Sequence, residues 1–105
     1  MGQFTVHQNK NAQSKARYPL LLDVQSQLLD TLGTRLVVPL APASHFKEKV
    51  LTTLTPLLEV DRKPYLMLTP QMAGISSKEL GAEVADLSNR RNEIMAAIDF
   101  LITGI

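Results

Sequence analysis

The spacing of apolar residues changes once along this chain, and that change limits the folds open to it. Up to residue 87 the apolar positions either alternate with polar ones, as in Gln3-Phe4-Thr5-Val6-His7, or run in short blocks broken by Pro, Gly and Asp. Both patterns belong to short strands. After Ser88 the spacing becomes three and four, so that Ile94, Ala97, Ile98, Leu101 and Ile105 fall on one stripe of a helix. Strands first and a single helix last predict a mainly β fold with a C-terminal α-helix, a small SH3-like barrel or antiparallel sheet on which the helix packs. At 105 residues, with Leu, Val, Ile and Phe numbering 17, 7, 5 and 3, the chain has length for one domain, 1–105, and side chains for its core. No internal repeat and no second domain is visible.

Within that frame the expected elements are a strand over 3–7, a polar and mobile loop over 8–17, and a strand over 18–24. The unbroken Leu20-Leu21-Leu22 points to burial on both faces. Residues 26–33 have turn chemistry, and 34–40 read as a strand whose Pro39 marks an edge or a bulge. Residues 42–49 fit a short helical turn. Strands over 57–60 and 65–68 form a hairpin through Asp61-Arg62-Lys63-Pro64, and 69–74 is a loop or short strand. Ser88 is the expected N-cap of the final helix, with Asp86 near its positive end.

Charge and chemistry exclude more than they suggest. Eleven Lys and Arg oppose ten Asp and Glu, a net +1. A chain living on phosphate contacts carries a basic excess, so direct sequence-specific nucleic-acid binding is disfavoured. The absence of cysteine removes disulfides and thiolate zinc sites and suits a reducing, cytoplasmic setting. No apolar run is long enough for a membrane. His7 and His45 are too few for a metal or catalytic cluster and read as structural or surface residues. Asp23 and Asp30, seven apart, are a weak acid–base pair whose ordinary role is solvated or capping. No G-x-S-x-G elbow or phosphate loop occurs. No catalytic residue, metal or cofactor is indicated.

Two apolar features stay open on pattern alone. Arg91, Met95, Asp99 and Ile102 form a strip beside the helix stripe, which either widens the core contact or faces a partner. Leu28-Leu29, inside a segment of turn character, is either a strand extension with one leucine buried or a contact patch on a loop.

The stretch Leu22-Asp23-Val24-Gln25-Ser26, then Asp30-Thr31, Gly33, Arg35, Val37 and Pro39-Leu40, closely resembles the CcdB family of bacterial toxins. The likeness continues through Met67, Thr69, Met72-Ala73, Glu83-Val84-Ala85-Asp86-Leu87-Ser88, Arg90, Ala97-Ile98 and the final Gly104-Ile105. It implies a homodimeric, non-enzymatic toxin of a toxin–antitoxin system. Such a toxin binds the A subunit of DNA gyrase and traps the enzyme with its DNA cut, and it serves plasmid maintenance. A cognate antitoxin removes it through a disordered C-terminal segment. The resemblance places the gyrase-facing surface on Leu28, Leu29, Asp99, Ile102, Thr103, Gly104 and Ile105. The basic loop residues Lys10, Lys15 and Arg17 are the expected antitoxin contacts. The chain departs from the family where many members carry a Trp before the terminal Gly-Ile: here Thr103 stands, with Ile102 in place of an aromatic. Two other readings compete. One is a MazF-like endoribonuclease, for which Arg17 and Arg35 could be nominated. The other is a degenerate homologue that binds antitoxin without poisoning gyrase.

Overall fold

The computed structural model describes residues 2–29, 31–46 and 53–104. Strands β1 (Thr5–Asn9), β2 (Leu20–Asp23), β3 (Thr34–Pro42), β4 (Leu57–Val60), β5 (Lys63–Met67), β6 (Ala73–Ser76) and β7 (Leu80–Asp86) precede the helix α1 (Arg91–Thr103). Every pairing between them is antiparallel. The order is β4-β5-β3-β2-β1-β7, with β6 also on β3, so the sheet curls as a half-barrel with β4 and β7 at its ends. The mainly β architecture with one C-terminal helix is the expected one.

The triple leucine explains the layering. Leu20 and Leu22 point into the main core with Phe4, Val6, Val38, Leu40, Leu58 and Met67, which α1 closes with Ile94, Ala97 and Ile98. Leu21, on the opposite side of the pleat, joins Val37, Leu80 and Ile75 in a second, smaller cluster. Both faces of β2 are therefore buried, as its uniform pattern implies.

Several boundaries differ from the sequence reading. Strand β1 begins at Thr5, because Phe4 adopts φ 68 and turns its ring inward; it then runs on through Gln8 and Asn9. Strand β2 is limited to Leu20–Asp23. The segment 10–17 is stitched down by polar contacts: Asn9 Nδ2 donates to Ser14 Oγ and the Tyr18 carbonyl, and Asn11 Nδ2 donates to Glu79 Oε1. It forms hydrogen-bonded turns.

Pro39 lies at neither an edge nor a bulge. It pairs with Leu21 in mid-sheet, where the other neighbour of β3 changes from β6 (at Val37) to β5 (at Leu40). Its carbonyl accepts the Leu68 N–H on that side, so the missing proline N–H falls where β3 changes partners. The β4–β5 hairpin turns on Asp61-Arg62 alone, both at positive φ as a two-residue hairpin requires, and Lys63 and Pro64 already belong to β5. Residues 69–71 form a 3₁₀ turn leading into β6. A like turn spans Ala43–His45; the rest of the helical turn expected over 42–49 extends to residues outside those described.

Strand β7 was not expected at all. In its sequence LGAEVAD only Leu80 is buried, and the small Gly81, Ala82 and Ala85 blur the alternation of Leu80, Ala82 and Val84. Gly81 permits its close approach to β1: a side chain there would meet the Gln8 carbonyl at 3.0 Å.

Ser88 does not cap α1. It opens a 3₁₀ turn, Ser88–Arg90, and its N–H donates to Asp86 Oδ1 at 2.8 Å. The helix start is instead tied to β4 through Arg90, which bonds the Leu57 carbonyl and Glu93. Leu101, expected in the buried stripe, is exposed: α1 buries Ile94, Ala97 and Ile98, and its last turn stands clear of the core.

Candidate partner-binding surface

Both apolar features left open by the sequence present exposed side chains after folding. The first is a ledge between β2 and β3, where Gln27–Leu29 form one 3₁₀ turn. Leu28 is 93% exposed and Leu29 49%, so neither is the buried member of a strand extension. Leu32 beside them is also exposed. The second is the end of α1, where Ile102 is 70% exposed and Leu101, Thr103 and Gly104 are open to solvent. The strip left open by pattern alone divides here: Met95 packs against the core, whereas Asp99 and Ile102 face outward.

Gly104 ends the helix. At φ 73 it occupies the left-handed conformation, and its N–H donates to the Phe100 carbonyl at 2.9 Å, a C-cap that a Cβ would strain. Thr103 Oγ1 bonds back to the Asp99 carbonyl at 2.7 Å. The sequence reading gave Gly104 only a place on the partner-facing surface, because the helical stripe as read ran past it to Ile105. Ile105 and Asp30 lie outside the described residues.

The ledge is built from the polar members of Asp23-Val24-Gln25-Ser26. Asp23 and Arg35 form a buried ion pair, 0% and 1% exposed, with Arg35 Nε donating to Oδ2 at 2.9 Å. Asp23 Oδ1 accepts the Gln25 N–H at 3.0 Å. The Gln25 side chain then divides its amide: Oε1 accepts the Leu36 N–H, and Nε2 donates to the Leu29 carbonyl, each at 3.0 Å. Ser26 Oγ accepts the Leu28 N–H at 3.2 Å. This network was invisible as such in the sequence, where Asp23 stood as half of a weak carboxylate pair and as one residue of the stretch that carries the family resemblance.

The basic residues separate. Lys10, Lys15 and Arg17 are all exposed on the 10–17 turn, and Arg17 lies 5.9 Å over the Tyr18 ring. Arg17 also lines a cleft of about 490 Å³ with His45, Phe46, Leu68 and Gln71. Arg35, the other arginine nominated for nuclease chemistry, is locked on Asp23 in the interior, out of a substrate's reach. His7 is a core residue: Nδ1 donates to the Gly81 carbonyl, which can only accept, and Nε2 contacts Thr5 Oγ1. His45 is exposed. No cluster of three His, Cys, Asp or Glu able to hold a metal occurs among the described residues. No helix among them is long and apolar enough to cross a membrane.

The fold is a curled antiparallel sheet backed by one helix. Two solved structures share it. One is an endoribonuclease in complex with its cognate antitoxin, from Mycobacterial species, with a TM-score of 0.71 and 13% identity over 97% of this chain and 94% of that one. The other is an endoribonuclease, also from Mycobacterial species, with the same TM-score and identity over 97% and 90%. At that identity the likeness is one of fold. The family model for CcdB protein matches residues 3–104, and the chain belongs to the CcdB family, toxins of toxin–antitoxin systems.

Proposed function

We propose that residues 1–105 form one toxin domain, homodimeric and cytoplasmic, that acts by contact rather than catalysis. It binds the A subunit of DNA gyrase, holds the enzyme with its DNA cleaved, and is released by a cognate antitoxin, in the service of plasmid maintenance. The observation that carries this reading is the exposure of Leu28 and Ile102, large aliphatic side chains that folding leaves in water. Apolar surface that folding does not use gains its stabilisation from a partner.

In this reading Leu28, Leu29, Asp99, Ile102, Thr103, Gly104 and Ile105 meet gyrase, and Lys10, Lys15 and Arg17 meet the disordered C-terminal segment of the antitoxin. A two-fold toxin presents its tips to a two-fold enzyme. It stabilises the cleaved state only by preferring it to the closed one. Thr103 in place of an aromatic shifts the weight to the leucine ledge and Ile105.

A second reading has its own support: chains of like fold are named endoribonucleases, and Arg17 shares its cleft with His45. One assay separates the two. The purified protein is incubated with gyrase and supercoiled plasmid, and separately with RNA. Linear plasmid after detergent and protease is the expected result; cleaved RNA with intact plasmid transfers the function to the nuclease, and neither product assigns the chain to a homologue that binds antitoxin alone. Deleting Thr103-Gly104-Ile105 is expected to abolish growth inhibition with little change in Tm, and undiminished inhibition by the truncated chain refutes the contact mechanism.

A further inference from the structure

The leucine ledge raises a physical question: what holds it. A single 3₁₀ turn of three residues has no intrinsic stability worth naming. Neither leucine is buried, so packing does not hold it either. What does reach it is polar. Gln25, itself only 8% exposed, bridges β3 and the ledge with one amide: its oxygen takes the Leu36 N–H and its nitrogen takes the Leu29 carbonyl. That carbonyl also accepts the Leu32 N–H at 3.2 Å, which closes the chain's return toward β3. Behind Gln25 stands Asp23, which fixes the Gln25 backbone through Oδ1 and is itself fixed by Arg35 through Oδ2.

A buried ion pair is poor material for stability, since an apolar replacement of like volume does as well or better. It is good material for holding one geometry. We infer that Gln25, oriented by the Asp23–Arg35 pair, is the positioning residue of the Leu28–Leu29 contact: it pre-orders the ledge so that a partner binds without ordering it. The inference rests on the gyrase reading above and names which residue sets the affinity of that surface. Pre-ordering strengthens binding because the entropy of fixing the loop is spent during folding rather than at association.

The test uses Gln25→Met, which keeps length and apolar bulk but removes both amide contacts. Ser26→Ala is the milder companion; it removes only the Leu28 N–H acceptor at a half-buried position. Hydrogen exchange read amide by amide is expected to quicken at Leu29 and Leu32 while Leu22 and Val38 keep their protection. Binding to purified gyrase A subunit is expected to weaken about tenfold. In a Leu28→Ala/Leu29→Ala background the same Gln25→Met change is expected to leave affinity unaltered, because there is no longer a contact to position. Unchanged exchange at Leu29 and Leu32 in a folded variant overturns the inference, as does an equal loss of affinity in both backgrounds. If the unaltered chain fails to bind gyrase at all, the proposed target falls, and the exchange measurement alone decides whether Gln25 orders the ledge.

Discussion

Replacing Leu28 with Ala separates what folding needs from what binding needs. Fully burying a leucine side chain gains about 1.5–3 kcal/mol. Leu28 is 93% exposed, so folding has drawn almost none of that, and nearly all of it is available to an interface. The substitution removes most of the side chain. It is therefore expected to cost about 1–2 kcal/mol of binding, which raises Kd for gyrase A subunit roughly 5–30-fold. The expected cost to stability is within about 0.5 kcal/mol, or a few degrees of Tm at this size. Leu22→Ala is the control. That side chain is fully buried in the main core, so the expected loss is about 2–5 kcal/mol of stability with affinity preserved in whatever fraction stays folded. Urea unfolding and a gyrase-binding isotherm on the same preparations read both quantities. If Leu28→Ala lowers the urea midpoint as far as Leu22→Ala does, or leaves the isotherm unmoved, the assignment of Leu28 to a partner surface is wrong.

Two further outcomes follow from the interior and the surface electrostatics. Arg35→Met leaves the Asp23 carboxylate buried without its cation and is expected to cost about 3–5 kcal/mol by urea unfolding, whereas Asp23→Leu/Arg35→Met together are expected to recover most of that loss. Asp86 sits below the usual carboxylate range because the Ser88 N–H and then its hydroxyl bond it, and Glu93 sits below it because Arg90 bonds it. Groups whose folded pKa is depressed add stability above the unfolded pKa, about 4, and lose it as pH falls through the lower folded value. Urea midpoints measured from pH 6 to pH 2.5 are thus expected to fall less steeply below pH 4 for Asp86→Asn/Glu93→Gln than for the unaltered chain; parallel curves refute the assignment.

How much of this was legible in the sequence varied from residue to residue, for physical reasons. The Leu57–Val60 and Lys63–Met67 hairpin, the double-faced burial of Leu20-Leu21-Leu22 and the helix stripe at Ile94, Ala97 and Ile98 are local patterns repeated at a fixed period. Strand β7 was missed because it lies at the sheet end, half exposed, where no alternation is required. Leu101 belongs to the same helical stripe as Ile98, yet periodicity cannot say where the sheet beneath a helix stops. The polar segment 10–17 reads as a loop from its composition; its own backbone bonds, such as Tyr18 N–H to the Ser14 carbonyl, turn it, and the tie from Asn11 to Glu79, 68 residues on, could not be read along the chain.

The candidate site divides along the same line. The sequence by itself determined that strands would precede a single amphipathic helix, and it singled out Leu28-Leu29 and the strip at the helix end as apolar features whose burial stayed open. Those properties follow from residue type and spacing along the chain. Only the tertiary structure decided that Leu28 and Ile102 stand in solvent while Met95 does not, that Arg35 is an interior partner of Asp23 rather than a substrate ligand, and that Gln25 braces the ledge. Each of those depends on which distant strand comes within hydrogen-bond or van der Waals reach, and neither charge nor hydrophobicity read along one dimension carries that distance.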